Sequence, residues 1–509
     1  MLLADLVAAS DTVRSTAARK AKTAALAGAL GRLAPEEAGA GATFLSGETR
    51  QRTLGVGWAA IRQVPPPAQT PRLTVGEVDQ ALAEIGAVGG PGSQASRRRL
   101  IEGLFARATA AEQAFLRVLI TGEVRQGALQ ALVAEALALA AQVPVADVRR
   151  ALMLSGDLAL TAGLALHGGV RALNGVHLRV GTPVQPMLAA PATSVQAALA
   201  VTGEAAVERK LDGIRVQVHR RGDHISVYTR SLDDITGRVP EIVAAVQALP
   251  VTAAVFDGEA IALKPDGRPR PFQHTASRIG SRMDVATAQT HVPLTTYLFD
   301  VLHLDGTDLL DLPGAERFDR LAAVVPDHQR VPRLVTADPT AAKAFFDETL
   351  AAGHEGVIVK SLSAAYEAGR RGTGWLKVKP RHTLDLVVLA AEWGHGRRRG
   401  WLSNLHLGAR DPDTDGFVML GKTFKGLTDA MLAWQTGRLQ ELAIASDDWQ
   451  VTVAPELVVE VAFDGVQTSP RYPGGMALRF ARVLRHRPDK RAAEADTIDT
   501  VRALHAGSL

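Results

Sequence analysis

At 509 residues, with 47% apolar and 22% charged side chains, the chain has the composition of a soluble protein of several globular domains, not of a disordered tail or a small disulfide-stapled scaffold. It has no cysteine, which excludes disulfides and cysteine-ligated zinc or iron–sulfur centres and fits a reducing cytoplasm. Lys and Arg number 57 against 53 Asp and Glu, a net +4 that permits nucleic-acid binding without demanding it.

No uncharged apolar run approaches the ~18 residues of a membrane span. The opening MLLADLVAASD reaches Asp5 without a basic segment, so no export signal is expected. Residues 1–185 read as helical. Two capping boxes mark helix starts, Thr74-Val75-Gly76-Glu77 and Thr109-Ala110-Ala111-Glu112, because the threonine hydroxyl and the later carboxylate satisfy each other's orphan N–H groups. Further helices are expected over 97–107, 127–141, 146–154 and 157–167, with loops at the Pro-rich 64–71 and the Gly-rich 86–93. A proline-containing connector at 183–195 leads into 205–380, where short alternating strands are separated by helices such as 338–352, the pattern of an α+β domain. Residues 384–484 hold several short strands around one helix at 428–443, which predicts a small β-barrel.

In the mixed domain, AVERKLDGIRVQVH (206–219) sets Lys210 beside an Asp212-Gly213 turn, where glycine is expected to supply a positive φ. Ile214, Val216 and Val218 alternate with Arg215, Gln217 and His219, the period of a half-buried strand, and residues 220–223 turn the chain into a second strand, ISVYTR. A lone K-x-D-G is ordinarily a solvated lysine at a turn, so its companions decide. A nucleophilic lysine needs cations or desolvation to favour its free amine. A phosphoryl electrophile needs cations about its oxygens and carboxylates for a divalent metal, and a base needs an aromatic face. The domain offers Glu259 in Asp257-Gly258-Glu259, Phe299 in TTYLFDVLHL, Glu355 and Lys360 at the two ends of EGVIVK, and Arg370-Arg371 ahead of WLKVK. Lys377 and Lys379, two apart, share a strand face. Singly each reads as a turn, a core ring or a solvated face; together they read as a nucleotide site. By contrast GFVMLGKT (416–423) fits the phosphate-loop pattern in letters only: its four inner residues are bulky and apolar and no helix start follows, so a strand ending near Gly421-Lys422 is expected.

On KLDGIR (210–215), YTRSLDDIT (228–236), FDGE (256–259), YLFDVL (297–302), EGVIVK (355–360), WLKVK (375–379) and LRFARVLRHRPDK (478–490), the chain resembles the ATP-dependent DNA ligases of the three-domain bacterial and archaeal type, which are covalent nucleotidyltransferases. QPMLA (185–189) and PELVVEVAFDGVQTSPRY (455–472) add to the likeness. The resemblance implies a helical DNA-binding domain over 1–185, an α+β adenylation domain over 186–382 and an OB-fold barrel over 383–509. It implies that Lys210 attacks the α-phosphate of ATP and holds AMP, that Glu208 or its backbone meets the adenine amino group, and that Phe299 stacks on the base. Arg215 and Arg230 would contact the nucleotide and then the nick's 5′-phosphate. Glu259 would bind ribose or help place Mg²⁺ (or Mn²⁺), with Glu355 as a second metal carboxylate. Arg371, Lys377 and Lys379 would line the phosphates, and Arg479, Arg482, Arg485 and Lys490 would orient the leaving pyrophosphate. The implied partner of a cytoplasmic monomer is nicked duplex DNA, held by the helical domain; local cations there, Arg97, Arg98, Arg99 and the 121–127 loop with Arg125, would supply grip, though Arg97–Arg99 read equally as a solvated helix start, and no clamp-binding peptide is legible.

Two positions depart from the family pattern, Ser231 and Ala481, and neither removes a charged group. RNA ligases share the lysine chemistry, as do capping enzymes and NAD-dependent DNA ligases. The absence of cysteine disfavours the NAD-dependent type, and the helical region ahead of Lys210 disfavours capping enzymes. A binding scaffold without catalysis is disfavoured by the intact set of Lys210, Glu259, Glu355, Lys377 and Lys379.

Overall fold

The computed structural model describes residues 1–51, 54–90, 92–122, 130–280, 284–367, 372–380, 382–414 and 416–506. It divides into two compact units, Met1–Glu348 with Val357–Lys377, and Thr349–Gly356 with Val378–Leu509.

The first unit begins with helices. Leu3–Ser15, Arg19–Leu30 and Ala38–Ser46 are rich in alanine, and they bury Leu6, Leu26, Leu30 and Phe44 in one core with Leu82, Phe105 and Leu137 from later helices. Both capping boxes form with their reciprocal bonds, opening Val75–Ala87 and Ala110–Ile120. The helix expected from 97 begins earlier, at Ser93, where Gly92 at φ +79° turns the chain into it. Helices Gln130–Ala141, Val145–Ser155 and Leu158–Gly163 follow, the last continuing as a π turn over Leu164–Gly168.

The strands that follow are, in chain order, β1 (Ala190–Pro191), β2 (Ala205–Lys210), β3 (Ile214–Arg221), β4 (His224–Thr229), β5 (Ala253–Ala262), β6 (Leu294–Leu304), β7 (Thr307–Asp308), β8 (Arg333–Thr336), β9 (Gly356–Ser361) and β10 (Trp375–Val378). They form two five-stranded sheets, ordered β1-β10-β9-β2-β8 and β4-β3-β5-β6-β7. The expected hairpin is β3–β4, in register at Val218 and Val227. Lys210 stands outside it. It ends β2 in one sheet, and the chain crosses at Leu211–Gly213 to β3 in the other.

Two expectations about this segment are corrected. Gly213 does not adopt a positive φ; a Cβ there would lie 2.3 Å from the Ala260 carbonyl oxygen and 3.0 Å from Glu259 Cγ. Glycine is needed for close approach, not for a left-handed turn. Gly213→Ala is expected to cost about 1–3 kcal/mol through overpacking, read by denaturant unfolding. The middle of β3 is also buried on both faces: Gln217 and His219 lie inside, satisfied by the Val184 backbone and by the Gly181 N–H. The polar residues that alternate in sequence face the connector instead of water.

The second unit contains β11 (His382–Trp393), β12 (Leu402–Asp411), β13 (Gly416–Thr423), β14 (Ala443–Ser446), β15 (Gln450–Val453), β16 (Val458–Phe463), β17 (Gly465–Thr468), β18 (Met476–Arg479) and β19 (Arg482–His486), with helices Asp429–Glu441 and Ile498–Ala506. β11 pairs with β12 along one edge; along the other it pairs with β16 through His382–Val387 and with β15 through Ala390–Glu392. Register shifts at Val388/Ala390 and Glu392/Trp393 bend β11, so the sheet folds into a half-barrel around Leu386, Leu405, Leu432, Val459 and Phe463. GFVMLGKT is β13, laid antiparallel on β12 with Ala409 opposite Val418, so its amides serve a sheet and not a phosphate cradle. Among the described residues no helix is long and apolar enough to cross a membrane.

Candidate active site

β2 places Glu208 and Lys210 on the same side, because alternate residues of a strand share a face. Beside β3 in the other sheet, β5 carries Glu259 opposite Arg215. Burial pushes the Glu259 carboxyl up to about 7, although the nearby Lys210 and Arg215 cations and the Gly213 N–H oppose it. Lys210 and Glu259 are therefore electrostatic neighbours across the crossover. A carboxyl whose folded value lies above the ordinary ~4.3 favours folding as the neutral acid, and that contribution is lost as pH rises toward 7. Glu259→Gln is accordingly expected to match the parent in thermal stability at about pH 4 or below and to exceed it at about pH 8. Equal pH dependence in the two proteins would contradict the raised Glu259 value.

Arg215 is committed to structure. Its guanidinium forms a two-pronged ion pair with Asp257, donates to the Met187 carbonyl at 2.6 Å, and lies 5.4 and 5.6 Å from the Phe299 and Trp375 ring centres. The Tyr366 hydroxyl donates to the same Asp257 at 2.7 Å. Glu208, only 2% exposed, is held by two cations: Arg333 donates to one carboxylate oxygen and Lys360 Nζ meets the other at 2.7 Å. Phe299 keeps part of its surface exposed and meets Trp375 edge-on, with the ring centres 5.9 Å apart. Lys377 stands in β10, opposite Pro191 of β1.

Glu208, Lys210, Arg215, Glu259 and Phe299 thus gather at one junction of the first unit, with Lys377 on a strand of the same sheet as Lys210. The network that fixes them adds Asp257, Arg333, Lys360, Tyr366 and Trp375. The sequence reading singled out none of these for a role, though Lys360 was noted as a strand-end cation. Arg230 is exposed in the turn after β4 and borders a cavity of about 770 Å³ shared with Gln130, Arg149 and Gln185. Arg97 donates to the Val88 carbonyl, Arg98 pairs with Glu102 at 2.9 Å, and Arg99 is exposed. Arg125 and Arg371 lie outside the described residues.

The second unit holds a separate charged cluster. Lys379 pairs with Glu355 and lies 3.3 Å from Asp464; burial lowers its pKa, but the two carboxylates outweigh burial and raise it. Arg482 lies 3.7 Å from Asp464, Arg485 is 2.6 Å from Glu460, and Arg479 packs near the Phe480 ring. Lys490 and the unanticipated Arg487 share Asp385, at 2.6 and 3.0 Å. Among the described residues no group of three or more acidic or histidine side chains could hold a metal ion.

Family models described as "ATP dependent DNA ligase domain", "ATP dependent DNA ligase C terminal region" and "DNA ligase N terminus" match residues 186–379, 398–490 and 59–138. A Mycolicibacterium gilvum protein named "Probable DNA ligase" is 59% identical over 508 residues, covering 99% of each chain. One of the same name from Anaeromyxobacter dehalogenans is 58% identical over 513 residues, covering 100% of each. The solved structure titled "Pmar-Lig_Pre." aligns with a TM-score of 0.60 over 95% of this chain and 99% of its own, at 17% identity, a likeness of fold alone.

Proposed function

The chain belongs to the ATP-dependent DNA ligases, and from that premise we propose that Lys210 is the residue that carries AMP from ATP to the nick. Its amine attacks the α-phosphorus, the bond to pyrophosphate breaks, and a phosphoramidate to Nζ forms as the amine loses a proton. An oxygen of the DNA 5′-phosphate then attacks that phosphorus and the lysine leaves, which creates an activated 5′ end. The 3′-hydroxyl attacks the 5′-phosphorus, AMP departs, and the backbone closes. A direct condensation is replaced by three phosphoryl transfers, each dependent on positioned charge and not on a strong base.

The observation that carries this reading is the placement of Lys210 at the crossover between two sheets, beside Glu259 and on the same strand face as Glu208. Glu208 supplies an acceptor for the base edge and Phe299 a partly exposed ring for its face. Arg215, tied to Asp257, orients the strand that follows the lysine, and Lys377 and Arg230 supply cations for nucleotide and DNA phosphates. Arg371 is assigned to the phosphates by the family pattern, and Arg98, Arg99 and Arg125 to DNA as local cations; Arg97, bonded to the Val88 carbonyl, would have to turn outward to join them. Glu259, a carboxyl beside Lys210, would hold Mg²⁺ through an oxygen donor, and the ion would neutralise triphosphate charge. Glu355 would have to release Lys379 to meet a metal. Arg479, Arg482, Arg485 and Lys490 are assigned to pyrophosphate; for Lys490 that requires exchanging Asp385 for phosphate oxygens. We place the domain limits at 185 and 382, and the protein in the cytoplasm as a monomer.

The test is incubation with ATP labelled in its α-phosphate and Mg²⁺, followed by nicked duplex DNA. Covalent label that is lost to DNA as the nick closes supports the reading. Label that passes only to nicked RNA, or no covalent label, overturns it.

A further inference from the structure

Lys360 is 1% exposed, a rare position for a lysine, and its surroundings are specific. Its Nζ lies 2.7 Å from Glu208, 3.4 Å from the Phe299 carbonyl oxygen, and 4.3 Å from the ring centres of both Phe299 and Trp375. Arg333 approaches Glu208 from the other carboxylate oxygen, donates to the same Phe299 carbonyl at 3.1 Å, and stacks 3.6 Å from the Phe318 ring centre. Burial lowers the Lys360 pKa, and Glu208 and Asp300 pull the other way. A structural core has cheaper solutions than a buried lysine and a half-buried arginine on one buried carboxylate, because desolvating such charges is costly and apolar side chains of similar volume are often at least as stable. Both cations also grip the backbone of Phe299, the ring assigned to the face of the base.

We propose that Lys360 and Arg333 are positioning residues that set nucleotide choice, by fixing the Glu208 carboxylate as a hydrogen-bond acceptor in register with Phe299. The inference rests on the reading of Lys210 as the adenylated residue. An acceptor held in this way rewards a base that offers an exocyclic amino group and repels one that offers a carbonyl oxygen at the same edge. Adenine presents the first and guanine the second. Buried polar groups left unpaired by the wrong base are what make such discrimination large. Lys360 works through Glu208 and does not itself need to touch the nucleotide.

The experiment compares covalent labelling by ATP, by GTP and by the triphosphate of purine riboside, which lacks the 6-amino group. Labelling of the wild-type protein by ATP checks the Lys210 reading by itself. If that holds, wild type is expected to prefer ATP over the deamino analogue by at least about tenfold in kcat/KM. In Lys360→Met, which keeps the side-chain length between the two rings, that preference should shrink by at least about tenfold, mostly through KM for ATP, and Lys360→Arg should restore part of it. Equal loss of labelling with all three nucleotides in Lys360→Met would mark a merely structural lysine and overturn the proposal. Wild-type indifference to the 6-amino group would overturn it without any variant, so a Lys360→Met protein that fails to fold does not rescue it.

Discussion

Lys210→Ala is expected to reduce covalent attachment of AMP to background while leaving the fold intact, since Lys210 is the last residue of β2, is partly exposed and fills no core position. Lys210→Arg should fail as well, because a guanidinium does not lose its proton in proteins and cannot act as the nucleophile. The sharper expectation concerns a nick whose 5′ end is already adenylated. Its closure needs only the 3′-hydroxyl and the cations around the phosphates, so Lys210→Ala should still close it while doing nothing with ATP and an ordinary nick. A variant inactive on both substrates would show that Lys210 serves the structure or the DNA contact, not the first transfer.

Removing one member of the Arg215–Asp257 pair should have the largest effect on stability. Asp257 is fully buried and accepts from Arg215 twice and from Tyr366 once. Arg215→Leu strands that carboxylate in the core next to Gly258 and Glu259, at a cost of about 3–5 kcal/mol, whereas Tyr366→Phe removes one hydrogen bond and costs about 1–2 kcal/mol. Combining Arg215→Leu with Asp257→Leu should recover part of the loss, since the stranded charge is gone. Denaturant midpoints for the three proteins check the ordering. If Arg215→Leu proves as mild as Tyr366→Phe, Arg215 is not structurally committed and is available to the nucleotide.

Features settled within a few residues were legible in the sequence. The two capping boxes announced their helices because donors and acceptors three residues apart suffice to define them. GFVMLGKT could be dismissed as a phosphate loop because bulky apolar residues favour a strand, and β13 is one.

Pairings across long stretches of chain were not legible. Glu208 and Arg333 are 125 residues apart, Asp257 and Tyr366 are 109 apart, and nothing near Arg333 or Tyr366 in sequence distinguishes them from ordinary surface or core residues. Alternation in β3 implied a wet face, because sequence does not show that the connector from 181 to 184 covers Gln217 and His219. Gly213 showed the same gap: its need for space comes from Ala260, on a strand that pairs only in the folded chain.

The most direct test of the central claim is to incubate the protein with ATP and Mg²⁺, digest it, and locate the adduct by mass spectrometry. A single AMP bound to Lys210 through nitrogen, released as pyrophosphate is added back, is the predicted result. AMP on any other side chain, or an unmodified Lys210 in protein that still closes nicks with ATP, would contradict it.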